Sequence, residues 1–212
     1  HPFPEINRFF QRVVGREIKE QLAAQCGKLP DYVFACVGGG SNSIGAFDAF
    51  LTEPDVQLVG VEAGGLGIES GKHSARFCGG RLGVIEGYKS YWLTDQHGQT
   101  LDTHSISAGL DYAGVGPFHS YLRDLGRVQY TYATDVEAVS AFKQLIAAEG
   151  ILPALESSHA MAKALELAPT LSPDKHIVVN ISGRAEKDLF IIARTLEDKQ
   201  FMEFLQKYTE GA

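Results

Sequence analysis

Apolar residues in the first part of the chain occur either at helical spacing or in continuous runs. The first is a stripe at steps of three and four residues, made of Phe9, Phe10, Val13, Val14, Ile18 and Leu22. It predicts a long amphipathic helix that ends at Gly27. Next come the apolar run "YVFACV", the helically spaced "SNSIGAFDAFL" and a second apolar run, "VQLVGVE". Buried parallel strands are typically continuous apolar runs, so this order predicts a βαβ unit.

The rest of the chain continues to alternate strands with helices. Residues 63–87 are rich in glycine and have little periodicity, which predicts an ordered functional loop region. The segment "SYWLTDQHGQTLDTHSIS" predicts a hairpin that turns at "DQHGQ", "RVQYTYATD" predicts a strand, and "HIVVNISG" predicts a third buried strand. Helices are predicted for "DVEAVSAFKQLIAAEG", capped by Thr134 or Asp135, for "HAMAKALELA" and for "EKDLFIIARTLEDKQFMEFLQKY". The pattern predicts an α/β fold, a largely parallel sheet flanked by helices that binds ligands at the carboxyl ends of its strands.

Composition narrows the classes of partner. The 212 residues carry a net charge of -7 without a block of Lys or Arg, which argues against nucleic acid or an anionic membrane. No apolar run approaches the roughly 20 residues of a membrane span, and the first residues lack the order of a signal peptide. The three cysteines are odd in number and lack metal-ligand spacing, so neither a disulfide framework nor a zinc site is expected; they are Cys26, Cys36 and Cys78. We expect a cytoplasmic protein whose ligands are small molecules or proteins.

The segment "CVGGGSNSIGAF" joins the first predicted strand to its helix. Glycines at this point let the backbone approach a ligand, and the start of a helix presents free N–H groups and a positive dipole end. We therefore predict a cup for one phosphate group, formed by the amides of Gly39 to Asn42 and the Ser41 hydroxyl.

Two other interpretations of this loop remain open at the sequence level. One is a tight turn from strand to helix that binds nothing. The other is a dinucleotide site, with Gly38 and Gly40 in the fingerprint and Glu62 as the acid that binds a ribose, although Ser43 stands where the third glycine belongs.

Five motifs in order along the chain resemble those of the tryptophan synthase β-chain family. They are "GGGSNSIGAF", "GVEAGG", "SISAGLDYAGVGP", "EGILPALESSHA" and "NISGRAEKD". The resemblance implies a fold-type II enzyme that uses pyridoxal phosphate to replace the hydroxyl of L-serine with indole, giving L-tryptophan and water. It also implies an α-chain partner and a homodimer of β chains.

The same resemblance assigns roles to the residues around the cofactor. It implies that the cofactor phosphate is bound by Gly38, Gly39, Gly40, Ser41 and Asn42. Ser182 matches the serine that hydrogen-bonds the pyridine nitrogen, whereas the residue pattern alone indicates a strand-end serine in a turn. A neutral hydroxyl there does not stabilise a protonated ring, so the ring is a milder electron sink and β-elimination is favoured over transamination.

Two acidic residues match family residues that act on the substrate. Glu156 matches a glutamate beside the cofactor ring that assists acid–base steps, and its alternative role is a helix-start acid that completes a cap with Ser157 or Ser158. Asp111 matches an aspartate that meets the hydroxyl region of the substrate, and its alternative role is that of an Asx-turn residue.

A monovalent cation is also implied by the resemblance. Its ligands would be backbone carbonyls, which map to Gly38, Tyr112 and Gly114. The chain departs from many family members in "SGRAEKD", where Ala185 replaces a glycine and Glu186 an aspartate. His73 and His159 lie near motifs but have no partner at ligand spacing, so ordinary surface or capping roles are expected.

The lysine that bonds the cofactor covalently is the largest departure. Family members carry it in an "HKxN" motif well upstream, and none of the lysines here stands in such a motif. We therefore expect residues 1–212 to be a single α/β domain, the C-terminal, phosphate-binding part of a larger two-domain enzyme that is inactive alone. The alternatives are a non-catalytic α/β module that binds a phosphate or a partner, and a nicotinamide-dependent oxidoreductase that uses Gly38, Gly40 and Glu62.

Overall fold

The computed structural model describes residues 2–196, 199, 200, 203, 206 and 207. The strands are β1 (Tyr32–Cys36), β2 (Gln57–Gly65), β3 (Arg81–Ile85), β4 (Tyr88–Trp92), β5 (Val128–Thr134) and β6 (Ile177–Val179). The helices are α1 (Phe3–Cys26), α2 (Ser41–Asp48), α3 (Arg76–Gly79), α4 (Pro117–Asp124), α5 (Asp135–Glu149), α6 (Leu155–Leu167) and α7 (Leu189–Thr195). Short 3-10 turns lie at Ile68–Ser70, Ala108–Leu110, Ala168–Thr170 and Ala185–Asp188.

Four strands form a parallel sheet in the order β5-β2-β1-β6. Successive residues of β1 pack on opposite faces: Val33 and Ala35 belong to the core beneath α1, α2 and α4, while Phe34 and Cys36 pack against α6. The two central strands are covered on both faces, which is why they are mostly apolar, with Gln57 and the buried Glu62 as the polar exceptions in β2. The predicted α/β fold and its βαβ unit, β1-α2-β2, are confirmed.

The predicted hairpin has a different partner. Strand β4 pairs with β3, which precedes it in the region predicted to be a loop, and not with the segment after it. Glu86 and Gly87 connect the two strands with φ values of 54° and 80°, as a two-residue type I′ turn requires. The turn at "DQHGQ" exists, but only a single bridge from Thr94 to Thr100 flanks it. The prediction was wrong because Glu-Gly is a weaker turn signal than the later glycine segment.

The "HIVVNISG" strand also differs from its prediction. Strand β6 is an edge strand of three residues, each of them half-buried, and it is not a buried strand. The closing helix is present as α7, and the rest of its predicted range beyond residue 196 lies largely outside the described residues. In the described part of the chain, no helix is long and apolar enough to cross a membrane.

Helix α1 crosses α2 at two glycines. A Cβ at Gly15 would lie 2.6 Å from the Gly45 carbonyl oxygen, and a Cβ at Gly45 would lie 2.4 Å from the Gln11 carbonyl oxygen. Only glycine permits backbones this close. The crossing holds α2, and therefore the loop before it, against the first helix. Half of the apolar stripe of α1 faces away, with Phe9, Phe10 and Val13 exposed by 55%, 69% and 39%, while Val14 and Ile18 pack against the core.

Helix α5 begins as the sequence predicts. Thr134 is its N-cap residue, and it forms a capping box in which the Glu137 amide donates to Thr134 Oγ1 while the Glu137 carboxylate accepts from the Thr134 amide. Of the two predicted caps, Thr134 is therefore the one that acts, and Asp135 is the first residue of the helix. The helix packs against α6, which starts at Leu155 and so includes Glu156 in its first turn.

Candidate functional site

A pocket of about 330 Å³ lies where β1 and β6 end. Its walls are Asn7, Cys36, Gly38, Gly39, Gly40, Ser41, Asn42, Gly109, Leu110, Glu156 and Ser182. The volume is at the lower end of the range of small-molecule sites, and parallel sheets bind their ligands at this edge. The structure therefore brings together the predicted phosphate loop, Ser182 and Glu156, which are far apart in the sequence.

The loop presents unpaired amides to this pocket. Gly40 is the N-cap of α2 with a φ of 96°, a left-handed conformation that glycine adopts readily. Within the described residues, the amides of Gly39 to Asn42 donate to no protein acceptor. A Cβ on Gly39 would meet no atom within 4 Å, so open space lies beside it. Unpaired donors at the positive end of a helix form an anion site.

His119 holds the loop in this conformation. Its Nε2 lies 2.7 Å from the Gly40 carbonyl oxygen, and since a carbonyl only accepts, Nε2 carries the proton. Its Nδ1 lies 2.8 Å from the Tyr130 hydroxyl. Burial lowers the pKa of His119 to about 4, so the ring is neutral near pH 7. The sequence analysis did not single out His119, because nothing in its spacing reveals a contact with a loop 79 residues earlier.

Ser182 also lines the pocket. Its hydroxyl lies 3.1 Å from Ser157 Oγ and 3.6 Å from Cys36 Sγ, and its amide donates to Ser157 Oγ at 3.0 Å. Burial raises the pKa of the Cys36 thiol to about 11, so the thiol is neutral. The immediate partners of Ser182 are thus uncharged, and its hydroxyl is available to a neutral hydrogen-bonding partner in the pocket.

Glu156 is ionised and anchored. Lys187 Nζ donates to both carboxylate oxygens at 3.0 and 2.9 Å, and the Gly109 amide donates to Oε1 at 2.8 Å. Burial would raise the pKa of Glu156, but these hydrogen bonds outweigh it and hold the pKa below its ordinary value. Lys187 also contacts Asp188, whose Oδ2 accepts the first amide of α6. The sequence analysis quoted the motif that contains Lys187 but gave that residue no role.

Asp111 lies outside the lining of this pocket. It is exposed, and its Oδ1 accepts a hydrogen bond from Ser74 Oγ at 3.2 Å. Its predicted role at the substrate stays a prediction. Of the two histidines near motifs, His159 is buried with Nδ1 2.8 Å from the Leu155 carbonyl oxygen, and His73 accepts the Ala75 amide at Nδ1. Both contacts are ordinary structural ones, but both side chains are buried, so the expected surface role was wrong.

Glu62 is not available to a ribose. It is fully buried, its carboxylate accepts the amides of Arg76 and Phe77, and its Oε1 lies 3.0 Å from Arg76 Nε. A ligand hydroxyl has no path to these oxygens. Glu62 therefore cannot bind a ribose hydroxyl, as the nicotinamide-dependent alternative requires.

The carbonyls predicted to bind a monovalent cation face a different group. Those of Gly38 and Tyr112 both accept hydrogen bonds from the Arg76 guanidinium, at 2.8 and 3.1 Å. Gly114 lies in an antiparallel bridge with Trp92. The residues present therefore do not fit a monovalent cation at this place, and among the described residues no cluster of acidic, histidine or cysteine side chains could hold a metal ion.

The fold and the pocket define an α/β protein with unpaired amides, suited to an anionic group, at the ends of its parallel strands. The family model described as "Pyridoxal-phosphate dependent enzyme" matches residues 3–183. The chain belongs to this family of pyridoxal-phosphate-dependent enzymes. The free amides suit the phosphate of that cofactor, and Ser182 suits its ring nitrogen, so the residues present fit the group.

Two tryptophan synthase beta chains and one solved structure are similar to this chain. The chain is 53% identical over 194 residues to the tryptophan synthase beta chain of Acinetobacter baylyi, and 56% identical over 193 residues to that of Chlamydia trachomatis. These matches cover 92% and 91% of this chain but 48% and 49% of the relatives, so the chain spans about half their length. A solved structure of O-ureido-L-serine synthase, bound to O-ureido-L-serine, shares the fold with a TM-score of 0.58. At 18% identity, over 94% of this chain and 54% of that one, the likeness shows the fold alone.

Proposed function

We propose that this chain is the C-terminal, phosphate-binding part of a tryptophan synthase β chain. The whole enzyme would replace the hydroxyl of L-serine with indole and release L-tryptophan and water. The observation that carries the proposal is the pocket that is lined by the residues with unpaired amides, 39–42, together with Ser182 and Glu156. The identity of 53–56% to beta chains supports this reaction over others of the family.

Each pocket residue then has a defined task. The amides of Gly39 to Asn42 bind the phosphate, and His119 keeps the loop in the conformation that exposes them. The Ser182 hydroxyl hydrogen-bonds the ring nitrogen without adding charge. Pyridoxal phosphate, when bound, supplies an electron sink for the carbon atoms of the amino acid. Glu156, ionised by its contact with Lys187, accepts and returns a proton at the substrate.

The surroundings of the chain are part of the proposal. Residues 1–212 form a single α/β domain, and the lysine that bonds the cofactor comes from a second domain of the same enzyme. Its partners are an α chain and a second β chain, and its location is the cytoplasm. Asp111 acts where that second domain brings the serine hydroxyl near it.

The experiment compares this chain with the full-length protein from its gene. Each is incubated with pyridoxal phosphate, L-serine and indole, and tryptophan is measured by chromatography. Borohydride reduction and peptide mapping then locate any lysine bonded to the cofactor. We expect tryptophan only from the full-length protein, because covalent cofactor catalysis needs a positioned lysine amine. A stoichiometrically labelled lysine within residues 1–212 would overturn the proposal.

A glycine variant tests the pocket itself. In the full-length protein, Gly39→Val fills the open space beside the amides, and we expect cofactor affinity to fall about tenfold or more, the usual effect of losing hydrogen bonds to a charged group. The control is Gly83→Val, because a Cβ on Gly83 meets no atom closer than 3.8 Å and lies on the β3–β4 hairpin. Equal affinities in the two variants would place the phosphate elsewhere. Phosphate binding by a full-length protein that makes no tryptophan would favour the non-catalytic module.

A further inference from the structure

Arg76 lies completely buried behind the glycine loop. Its Nη1 donates to the carbonyl oxygens of Ser74 at 2.7 Å and Tyr112 at 3.1 Å. Its Nη2 donates to the carbonyl oxygens of Val37 at 2.7 Å and Gly38 at 2.8 Å. All four N–H bonds of the two terminal nitrogens are thus directed at backbone carbonyls from three separate segments of the chain.

Glu62 balances this charge. Its side chain is also fully buried, and its Oε1 lies 3.0 Å from Arg76 Nε, although that contact lacks hydrogen-bond geometry. A guanidinium stays protonated in proteins, and a buried charge persists where an opposite charge and hydrogen bonds surround it. The pair therefore introduces one positive group, compensated by one carboxylate, into a cage of carbonyl oxygens.

We propose that the Arg76 guanidinium is a built-in replacement for a monovalent cation. Carbonyl oxygens that converge from different segments repel one another unless a positive group lies between them. A bound cation and a guanidinium can both be that positive group. Two of the three carbonyls that the family resemblance assigns to a cation already bind Arg76. The cage needs no ion from solution.

A second cation in the same cage is disfavoured. An ion bound to the Gly38 or Tyr112 carbonyl would lie no more than about 6 Å from the guanidinium, because both would be within ligand distance of one oxygen. Like charges at that separation repel strongly in a buried site. Arg76 thus excludes the ion whose place it takes.

Arg76 also fixes the position of the loop at the edge of the pocket. Gly38 opens the phosphate loop, and a Cβ on it would lie 2.3 Å from the Gly109 carbonyl oxygen, so the loop contacts the segment that leads to Tyr112 directly. Arg76 holds these two segments together through the Gly38 and Tyr112 carbonyls. The position of the loop should then be independent of the salt present. This inference does not depend on the reaction proposed above.

The test is the thermal unfolding of this chain in different salts at equal ionic strength. Potassium, sodium and caesium chloride are each compared with tetramethylammonium chloride, whose cation is too bulky for a carbonyl cage. For the native chain we expect the same unfolding midpoint in all four. In Arg76→Ala we expect potassium at roughly 100 mM to raise the midpoint by about 5–10 °C, the linkage expected for a site with a Kd near 1 mM. Arg81→Ala, which removes an exposed guanidinium, is the control and should show no such rise.

A second variant covers the case in which Arg76→Ala leaves Glu62 unpaired and the chain does not fold. The double variant Arg76→Ala, Glu62→Gln removes both charges and keeps the carbonyls, and we expect a smaller potassium-specific rise. Two results overturn the inference. One is a potassium-specific rise in the native chain, which would mean that it binds a cation beside Arg76. The other is the absence of any cation-specific rise in both variants, which would mean that the carbonyls do not form a cation cage.

Discussion

Ser182 is the residue whose charge state matters most to the proposed chemistry. Its partners Ser157 and Cys36 are uncharged, so under the proposed function its hydroxyl would give the ring nitrogen a neutral hydrogen bond. Replacing Ser182 with Asp in the full-length enzyme would put an anion there and favour a protonated ring, by the rule that opposite charges stabilise each other. We expect tryptophan formation to fall and transamination to rise. Both products are measured by chromatography.

Two further variants separate the effect of the charge from the loss of the hydroxyl. Ser182→Ala should keep the reaction type and mainly weaken cofactor binding, since it removes one hydrogen bond and adds no charge. Ser140→Asp adds the same charge on the exposed face of α5 and should change neither product. If Ser182→Asp behaved like the native enzyme, Ser182 would not contact the ring nitrogen.

Lys187 determines how Glu156 contributes to stability. The folded chain holds the pKa of Glu156 below the ordinary value of 4.5, so the unfolded chain binds more protons between these two pKa values. The contribution is therefore complete above about pH 4.5 and is lost as the pH falls through the folded pKa. In Lys187→Met, burial acts on Glu156 with less opposition and raises its pKa. We expect the variant to lose about 1–2 kcal/mol in the free energy of unfolding at pH 7. As the pH rises from 3 to 5, its stability should increase less than that of the native chain.

Denaturant titrations at a series of pH values measure both effects. The matched control is Lys163→Met, because Lys163 also contacts two carboxylates, those of Glu137 and Glu166, away from the pocket. In the full-length enzyme only Lys187→Met should also reduce the rate of tryptophan formation. Equal effects of the two variants on that rate would argue against a role for Glu156 in catalysis.

At the scale of elements, the crossing of α1 and α2 positions the phosphate loop. Gly45→Ala would normally stabilise a helix by about 1 kcal/mol, because glycine has the larger backbone entropy. Here the new Cβ would lie 2.4 Å from the Gln11 carbonyl oxygen, so the helices must separate. We expect a net destabilisation of about 1–3 kcal/mol, the usual cost of overpacking.

Thermal and denaturant unfolding of the chain test this prediction. Ser140→Ala on the exposed face of α5 is the comparator, since it improves helix propensity and breaks only an exposed hydrogen bond from Gln144 Nε2 at 3.3 Å, so it should leave stability nearly unchanged. Phosphate binding by Gly45→Ala should weaken as well, because the loop precedes the helix that moves. A stable Gly45→Ala chain with unchanged phosphate affinity would show that the crossing can open without affecting the loop.

At the scale of the whole molecule, one surface is unusually apolar. Phe3, Ile6, Phe10 and Val13 lie at helical spacing on the outer side of α1, exposed by 77%, 45%, 69% and 39%. Contiguous apolar patches of this kind favour association. We expect this chain to self-associate with rising concentration in sedimentation velocity experiments. Phe10→Lys should shift it toward the monomer, and Val136→Lys, at an apolar residue 79% exposed on α5, should not. A native chain that is monomeric at every concentration would contradict the prediction.

The sequence by itself determined the elements whose signals are local. Continuous apolar runs predicted β1 and β2, the segment "RVQYTYATD" predicted β5, a helical period predicted α1, α2 and α5, and Thr134 was one of two predicted caps. The unpaired amides of the glycine loop were also predictable, since three glycines between a strand and a helix start have a direct physical meaning, while phosphate binding there stays a prediction. The approach of Ser182 and Glu156 to this loop came from the family resemblance, because residues so far apart in sequence share no local pattern.

Only the tertiary structure decided what each of these residues contacts. The pairing of β4 with β3 depended on a two-residue turn with a weak sequence signal, and the exposure of Phe9 and Phe10 depended on the side of α1 on which Gly15 packs. The same holds for His119, Lys187 and Arg76, whose partners lie on other segments. Periodicity reports which face of an element is buried, but not what covers it. Chain folding brings a guanidinium to the carbonyls of Gly38 and Tyr112, and no pattern within either segment records that contact.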